Sequence, residues 1–252
     1  MPMNAPTIVP AFSEKPDGPF DFLSALDRYK DDPLAIHRLN RRYEAIVAPF
    51  QSDIQNATVL DLASHDGRWP YALSYAGARE VLGIEARGEL IEQFDEFPAS
   101  DHTQRVTLVQ GDIFDQIRLL IESEATVDVV AVFGIFYHIT EHYLLLSLLK
   151  RLQPLLIIID SEFARDAQGP ILRFARERTD NPLNATDRGA GEVELVAVPS
   201  PQLIELMADV LGYRADWVSW KSLPGGHRDG VQDYFRSGEA RRRRGTVALR
   251  RK

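Results

Sequence analysis

Cysteine is absent from the 252 residues, so no disulfide can form and every zinc site built on thiolate is excluded. No apolar run approaches the roughly 18 residues that a membrane-spanning helix needs. Met1 to Phe12 carries neither a basic cluster nor an apolar stretch of the kind a secretory signal uses. These absences lead us to expect a cytoplasmic protein that does not enter a membrane. An excess of positive charge is also lacking: 29 basic residues stand against 37 acidic ones, for a net charge of −8, which argues against broad wrapping of nucleic acid. The basic charge gathers at the end of the chain, in Arg241, Arg242, Arg243, Arg244, Arg250, Arg251 and Lys252. The expected setting there is a solvated turn and tail around one last strand, with contact to phosphate as the alternative.

What is present is an ordinary globular composition, 44% hydrophobic and 26% charged, long enough for one large domain or two small ones. Residues 1–19 are rich in Pro, Gly and polar groups and read as a loose arm. Helical patterns follow near Phe20 to Tyr29 and from Pro33, after Asp32, to about Val47. Residues 1–56 are thus expected to form an N-terminal arm and helical cap. From residue 57 onward strands and helices alternate. The candidate strands are 57–63, 80–86, 105–112, 127–135 and 155–160, with helices near 68–76, 88–95, 114–122 and 140–152. The strands are nearly continuous apolar runs, as parallel strands buried on both faces are, so the fold class is a doubly wound α/β sheet. The rhythm breaks over 161–199, which holds Gly169-Pro170, Asn181-Pro182 and Gly189-Ala190-Gly191. Segments of that length are commonly lids, binding loops or disordered stretches. A helix from Pro201 to Leu211, capped by Ser200 and Gly212, precedes strands near 213–220 and 245–251.

Three of the strands end in an acid. Thr58-Val59-Leu60-Asp61 leads into the tight stretch Leu62-Ala63-Ser64-His65-Asp66-Gly67, while Val81-Leu82-Gly83-Ile84 ends in Glu85 and Val106 to Gly111 ends in Asp112. Ligands of open α/β sheets sit beyond these carboxyl ends, so the three acids are expected at one crevice. Glu85, accepting with two oxygens, suits ribose hydroxyls, and Asp112 suits an exocyclic amine such as that of adenine. The first loop holds no cation before Arg68, which points to an adenosine ligand without phosphates. A nicotinamide dinucleotide is the alternative, but the loop lacks two of its glycines and Asp112 has no role in that reading.

On these residues and on the order of all seven strands, the stretch from about 57 to 252 resembles the class I S-adenosylmethionine-dependent methyltransferases. The resemblance implies a mostly parallel seven-stranded sheet with its last strand antiparallel, helices on both faces, and a substrate cover at about 161–199. It implies S-adenosylmethionine as cofactor and S-adenosylhomocysteine as product. The Asp61–Gly67 loop is to hold the methionine part, Glu85 the ribose and Asp112 the adenine amine, with Gly111 and Ile113 flanking the ring. The implied cofactor contacts are Asp61, Ala63, Ser64, Gly67, Glu85, Ala86, Gly111, Asp112, Ile113 and Phe133. The sequence departs from the family where about three alternating glycines are usual, since those places hold Ala63, His65 and Gly67.

The fourth strand ends Phe133-Gly134-Ile135-Phe136-Tyr137-His138, and the spacing of Gly134, Tyr137 and His138 also looks like a stretch of small-molecule and wobble-uridine tRNA methyltransferases. His138 is the expected general base and Tyr137 its catalytic neighbour, because an imidazole near its ordinary pKa of about 6.5 accepts protons at neutral pH; a structural histidine is the alternative. His138-Ile139-Thr140-Glu141-His142 also matches an inverted zinc-peptidase pattern, but no third ligand is evident and we expect no metal. Asp160 and Glu162 are candidates to orient a substrate. Arg173 and Arg176 suit an anionic group, or a solvated face, and the resemblance implies an N-terminal cap in which Arg42 and Tyr43 close over the cofactor carboxylate. The expected activity is methyl transfer to oxygen or nitrogen of a small, aromatic or natural-product acceptor, by a chain that is a candidate homodimer. A tRNA-modifying enzyme and a binder without catalysis are the alternatives.

Overall fold

The computed structural model of the chain describes residues 7–165, 168–179, 192–237 and 240–252. Asn181-Pro182, Asn184 and Gly189-Ala190-Gly191 lie outside them. A two-residue strand β1 (Thr7–Ile8) comes first. Where a helix over Phe20–Tyr29 was expected there is a 3-10 turn, Asp21–Ala25. Helix α1 (Pro33–Ile46) begins as read: Pro33 lacks a donor, and the Asp32 side chain accepts from the Ala35 amide. The short α2 (Gln51–Ile54) leads to β2 (Thr58–Leu62), followed by α3 (Arg68–Tyr75), β3 (Glu80–Glu85), α4 (Gly88–Ile91), α5 (Asp101–Gln104) and β4 (Val106–Gln110). Then come α6 (Ile113–Glu122), β5 (Val129–Phe133), α7 (His142–Arg151), β6 (Leu156–Ala164), β7 (Leu172–Arg178) and β8 (Val193–Pro199). The chain ends with α8 (Pro201–Leu211), β9 (Tyr213–Val218) and β10 (Arg242–Arg251).

The main sheet has eight strands in the order β1-β9-β10-β6-β5-β2-β3-β4. Seven are those expected; β1 is an added edge strand, parallel to β9. The first 19 residues are therefore not wholly a loose arm, and Phe12 further ties them down by packing on Trp220, ring centres 5.8 Å apart. Neighbours among β2 to β6 run parallel, and β10 is antiparallel to both β6 and β9. The helices form two cores. Val59, Ala131 and Ile158 face one with Leu73, Ile46 and Phe50, and Leu60, Val130, Val132, Ile157 and Ile159 face the other with Ile117, Leu145 and Ile204. Alternate residues of one strand thus enter opposite cores, and each buried aliphatic side chain contributes about 1.5–3 kcal/mol.

Two departures bear on the site. The segment expected as an irregular cover contains β7 and β8, an antiparallel pair forming a second sheet. The last strand begins at Arg242 rather than near 245, and β6 runs on to Ala164, so that Arg242 pairs with Ala164 and Arg244 with Glu162. The arginines expected in a solvated tail are therefore partly built into the sheet.

Candidate functional site

The chain passes from β2 outward through β3 to β4 and returns to β5 on the other side of β2, so the strand order reverses between β2 and β5. Beyond the carboxyl ends at such a reversal lies the ligand crevice of open α/β sheets. Here it is a cavity of about 300 Å³ whose lining includes Ala63, His65, Arg68, Trp69, Arg87, Phe133, Gly134, Tyr137 and His138.

The loop after β2 sets one wall. Ala63, His65 and Gly67 have φ of 59°, 56° and 81°, the left-handed region that glycine enters freely and other residues enter at about 1–2 kcal/mol. The alternating pattern thus survives in the backbone where the sequence has lost it. Gly67 is also fixed by space, since a Cβ there collides with the Phe94 ring. The His65 ring turns back onto its own loop: Nδ1 lies 2.9 Å from the Asp66 amide and 2.7 Å from Arg68 Nη2. Both of those groups only donate, so Nδ1 is the acceptor and the ring proton sits on Nε2. Asp66, fully buried, takes Arg68 Nε at 2.5 Å and the Tyr29 hydroxyl at 2.8 Å; against burial, His65 and the Arg68 guanidinium hold its carboxyl well below the usual range.

The three acids end up in different circumstances. Asp61 is buried, and neither carboxylate oxygen has a hydrogen-bond partner among the described residues. Burial, reinforced by the charge of nearby Glu85, pushes its carboxyl well above the ordinary value. Glu85 is also buried, and it staples the loop to β3 by accepting from the His65 amide at 2.8 Å while Arg87 Nε donates to its other oxygen at 2.8 Å. Asp112 is exposed and caps α6, Oδ1 accepting from the Phe114 amide at 2.8 Å and the Asp115 amide at 3.3 Å. Asp61 and Glu85 are therefore buried behind Ala63, His65 and Arg87 of the cavity lining without lining it themselves, whereas Asp112 stands at a separate cleft with Phe114, Arg118 and Glu141. Ser64 is buried and donates to the Asp61 carbonyl at 3.1 Å, Ile113 is buried, and Ala86 and Gly111 are half-buried near the ends of β3 and β4. Phe133 forms an aromatic wall with Trp69, edge to face at 5.1 Å.

On the other side of β5 lies the catalytic candidate. His138 is 4% exposed, and its Nδ1 is 2.5 Å from Glu177 Oε2. Glu177 comes from β7, out of the segment read from sequence only as a cover. Burial lowers the His138 pKa, with the Glu177 charge partly opposing, so the ring is neutral at neutral pH. Tyr137 packs on His138 with ring centres 4.0 Å apart. His142, the other histidine of the His-x-x-Glu-His stretch, is buried with its ring edge-on to Phe136 at 4.7 Å.

Asp160 at the end of β6 is fully buried and accepts from Arg42 Nη2 at 2.7 Å, Arg244 Nε at 2.8 Å, the Thr246 hydroxyl at 2.8 Å and the Tyr234 hydroxyl at 2.9 Å. Its carboxyl is brought down to about 2 against the pull of burial, chiefly by Arg244 and Arg42. Glu162 holds Arg236 and Arg242, each at 2.7 Å. Arg173 donates to the Arg241 carbonyl at 3.2 Å, and Arg176 is exposed on β7. Tyr43 packs against Tyr75, not in the cavity. Sequence reasoning missed Glu177, Tyr234 and Arg38; the stretch Leu172-Arg173-Phe174-Ala175-Arg176-Glu177-Arg178 shows no regular alternation that would have marked Glu177.

No protein-family model matches the chain, and no curated protein matches it. Solved structures do. The N-terminal domain of EvdMO1 with S-adenosylhomocysteine bound is 18% identical, with a TM-score of 0.57 over 92% of this chain and 85% of that one. A putative S-adenosylmethionine-dependent methyltransferase from Listeria monocytogenes is 14% identical, with a TM-score of 0.54 over 79% and 93%. Magnesium protoporphyrin IX methyltransferase from Synechocystis PCC 6803, with bound S-adenosylhomocysteine, is 13% identical, with a TM-score of 0.51 over 92% and 98%. The chain has the fold of the class I methyltransferases.

Proposed function

We propose that the protein is an S-adenosylmethionine-dependent methyltransferase acting on an oxygen or nitrogen of a small acceptor. The observation that carries this reading is the loop after β2, whose Ala63, His65 and Gly67 all hold left-handed φ beside a buried, unpartnered Asp61. Strained backbone and an orphaned charge are costly, and they persist where a ligand makes use of them. S-adenosylmethionine fits the donor set. Asp61 would accept from its ammonium group, Glu85 has lone pairs left for the ribose, and Asp112 Oδ2 is without a partner for the adenine amine. Ala86, Gly111, Ile113, Ser64 and Phe133 would line the nucleoside.

When bound, the cofactor supplies an electrophilic methyl group. The chain's own residues then have three tasks. Trp69, Phe133 and Tyr137 wall the cavity and exclude water, which favours in-line displacement by proximity and desolvation. Glu177 fixes the His138 ring through Nδ1, which leaves Nε2 as the basic nitrogen. His138 takes the acceptor's proton as the new bond to methyl forms. This oriented pair favours an enzyme over a binder without chemistry. The alternative of tRNA modification loses support, because Arg244 is buried at the cavity wall rather than presented on the surface and Arg242 is paired with Glu162.

The test is incubation with methyl-labelled S-adenosylmethionine and a panel of small phenols, carboxylic acids and amines, followed by mass spectrometry. We expect label in at least one acceptor with wild type and at least a hundredfold less with His138→Ala. Equal transfer by both proteins would overturn the base assignment.

A further inference from the structure

Five arginines line the cavity: Arg38, Arg42, Arg68, Arg87 and Arg244. Three have a carboxylate of their own. Arg38 makes a two-pronged pair with Asp233 at 2.9 and 2.7 Å, Arg68 meets Asp66 and Arg87 meets Glu85. Arg42 and Arg244 do not; they share the single charge of Asp160. Tyr234 adds no charge, because burial, reinforced by Asp160, raises its phenol pKa far above neutral. Among the described residues Arg42 and Arg244 thus carry one guanidinium charge more than the carboxylate they contact, and both side chains are more than nine-tenths buried.

The spare charge has a direction. Arg42 uses Nη2 on Asp160 and Nε on Tyr234, and Arg244 uses Nε and Nη2 on Asp160. Nη1 of Arg42 and Nη1 of Arg244 have no acceptor among the described residues, although both side chains line the cavity. Both donors are open to the cavity rather than sealed off from it, and an oxyanion is the chemistry that accepts from two guanidinium donors at once. The pair stands beside the proposed base: Arg244 Cζ is 5.9 Å from the Tyr137 ring centre, and its charge acts on His138. Arg42 Cζ lies over the Trp69 ring, 4.8 Å from its centre, a cation–π contact that holds the guanidinium at the cavity wall. Both arginines meet at the end of β6, which is separated by β5 from the β2 loop where the methionine part is expected.

We infer that Arg42 and Arg244 form an oxyanion subsite that selects a methyl acceptor bearing a carboxylate or phosphate, held with its nucleophilic atom toward His138. This rests on the methyltransferase reading and narrows it to anionic acceptors.

Calorimetry on the wild-type protein saturated with S-adenosylhomocysteine tests it with matched probes: 4-hydroxybenzoate against 4-hydroxybenzamide, and phenyl phosphate against benzyl alcohol. We expect at least one anion to bind tenfold or more tightly than its neutral partner, and the arm that responds identifies carboxylate or phosphate. In Arg244→Gln and in Arg42→Lys this preference should fall at least fivefold, with the affinity for S-adenosylhomocysteine within twofold of wild type. The inference is overturned if the wild type prefers neither anion, a comparison that needs no variant to fold. It is also overturned if the substitutions weaken S-adenosylhomocysteine and spare the anion preference, for then the arginines serve the cofactor. Should S-adenosylhomocysteine fail to bind at all, the methyltransferase reading falls instead, and the same anion comparison on the protein alone still decides whether the subsite exists.

Discussion

Side chains at Ala63 and His65 occupy backbone conformations that suit glycine, and the two are held there differently. Ala63 has only a methyl group, so Ala63→Gly should relieve strain and raise stability by up to about 1 kcal/mol, readable as a higher denaturant midpoint. His65 recovers part of its cost through Arg68 and the Asp66 amide. The departure from alternating glycines that stood out in the sequence is thus a change of residue type without a change of backbone. Asp61 poses the reverse trade. Its folded-state pKa is raised, so its ionisation costs stability as pH climbs above the unfolded value of about 3.9. Asp61→Asn should melt higher than wild type at pH 7, lose that advantage below about pH 4, and bind S-adenosylmethionine more weakly. At His138 the acid limb of kcat should fall below the ordinary histidine value of about 6.5, because burial lowers the pKa. Glu177→Gln removes a charge that favours the imidazolium, so it should move that limb further down and reduce kcat. A purely structural histidine would leave the limb where it was.

Among the elements, the parallel strands were legible because each is an apolar run ended by punctuation, and β2 to β6 all lie within a few residues of their expected positions. What misled was local chemistry read without its distant partner. Arg242 to Arg244 look like a solvated tail until Asp160 and Glu162 are brought opposite them, and those acids are about eighty residues away in the chain. Glu177 was unreadable for the same reason: its partner His138 lies 39 residues away in the chain. The Asp160 cluster ties α1, β6 and β10 together. Its folded pKa of about 2 lies below the unfolded value of about 3.9, so the stability it contributes is full above pH 4 and lost as pH falls toward 2. Melting temperatures taken from pH 5 to 2 should show that loss in wild type. Asp160→Asn should lack it and be destabilised at pH 7 by about 3–5 kcal/mol, having left two buried cations without their counter-charge.

For the molecule as a whole, one crevice at the reversal of strand order gathers a strained loop, an oriented histidine and a pair of arginines that share one carboxylate. The most direct measurement is calorimetry of the wild-type protein with S-adenosylmethionine, S-adenosylhomocysteine and NAD in turn. We expect the two sulfur nucleosides to bind one to one, NAD to give no heat, and Glu85→Ala to weaken the binding by about 1–3 kcal/mol. Preferential binding of NAD, or silence with all three ligands, would contradict the reading.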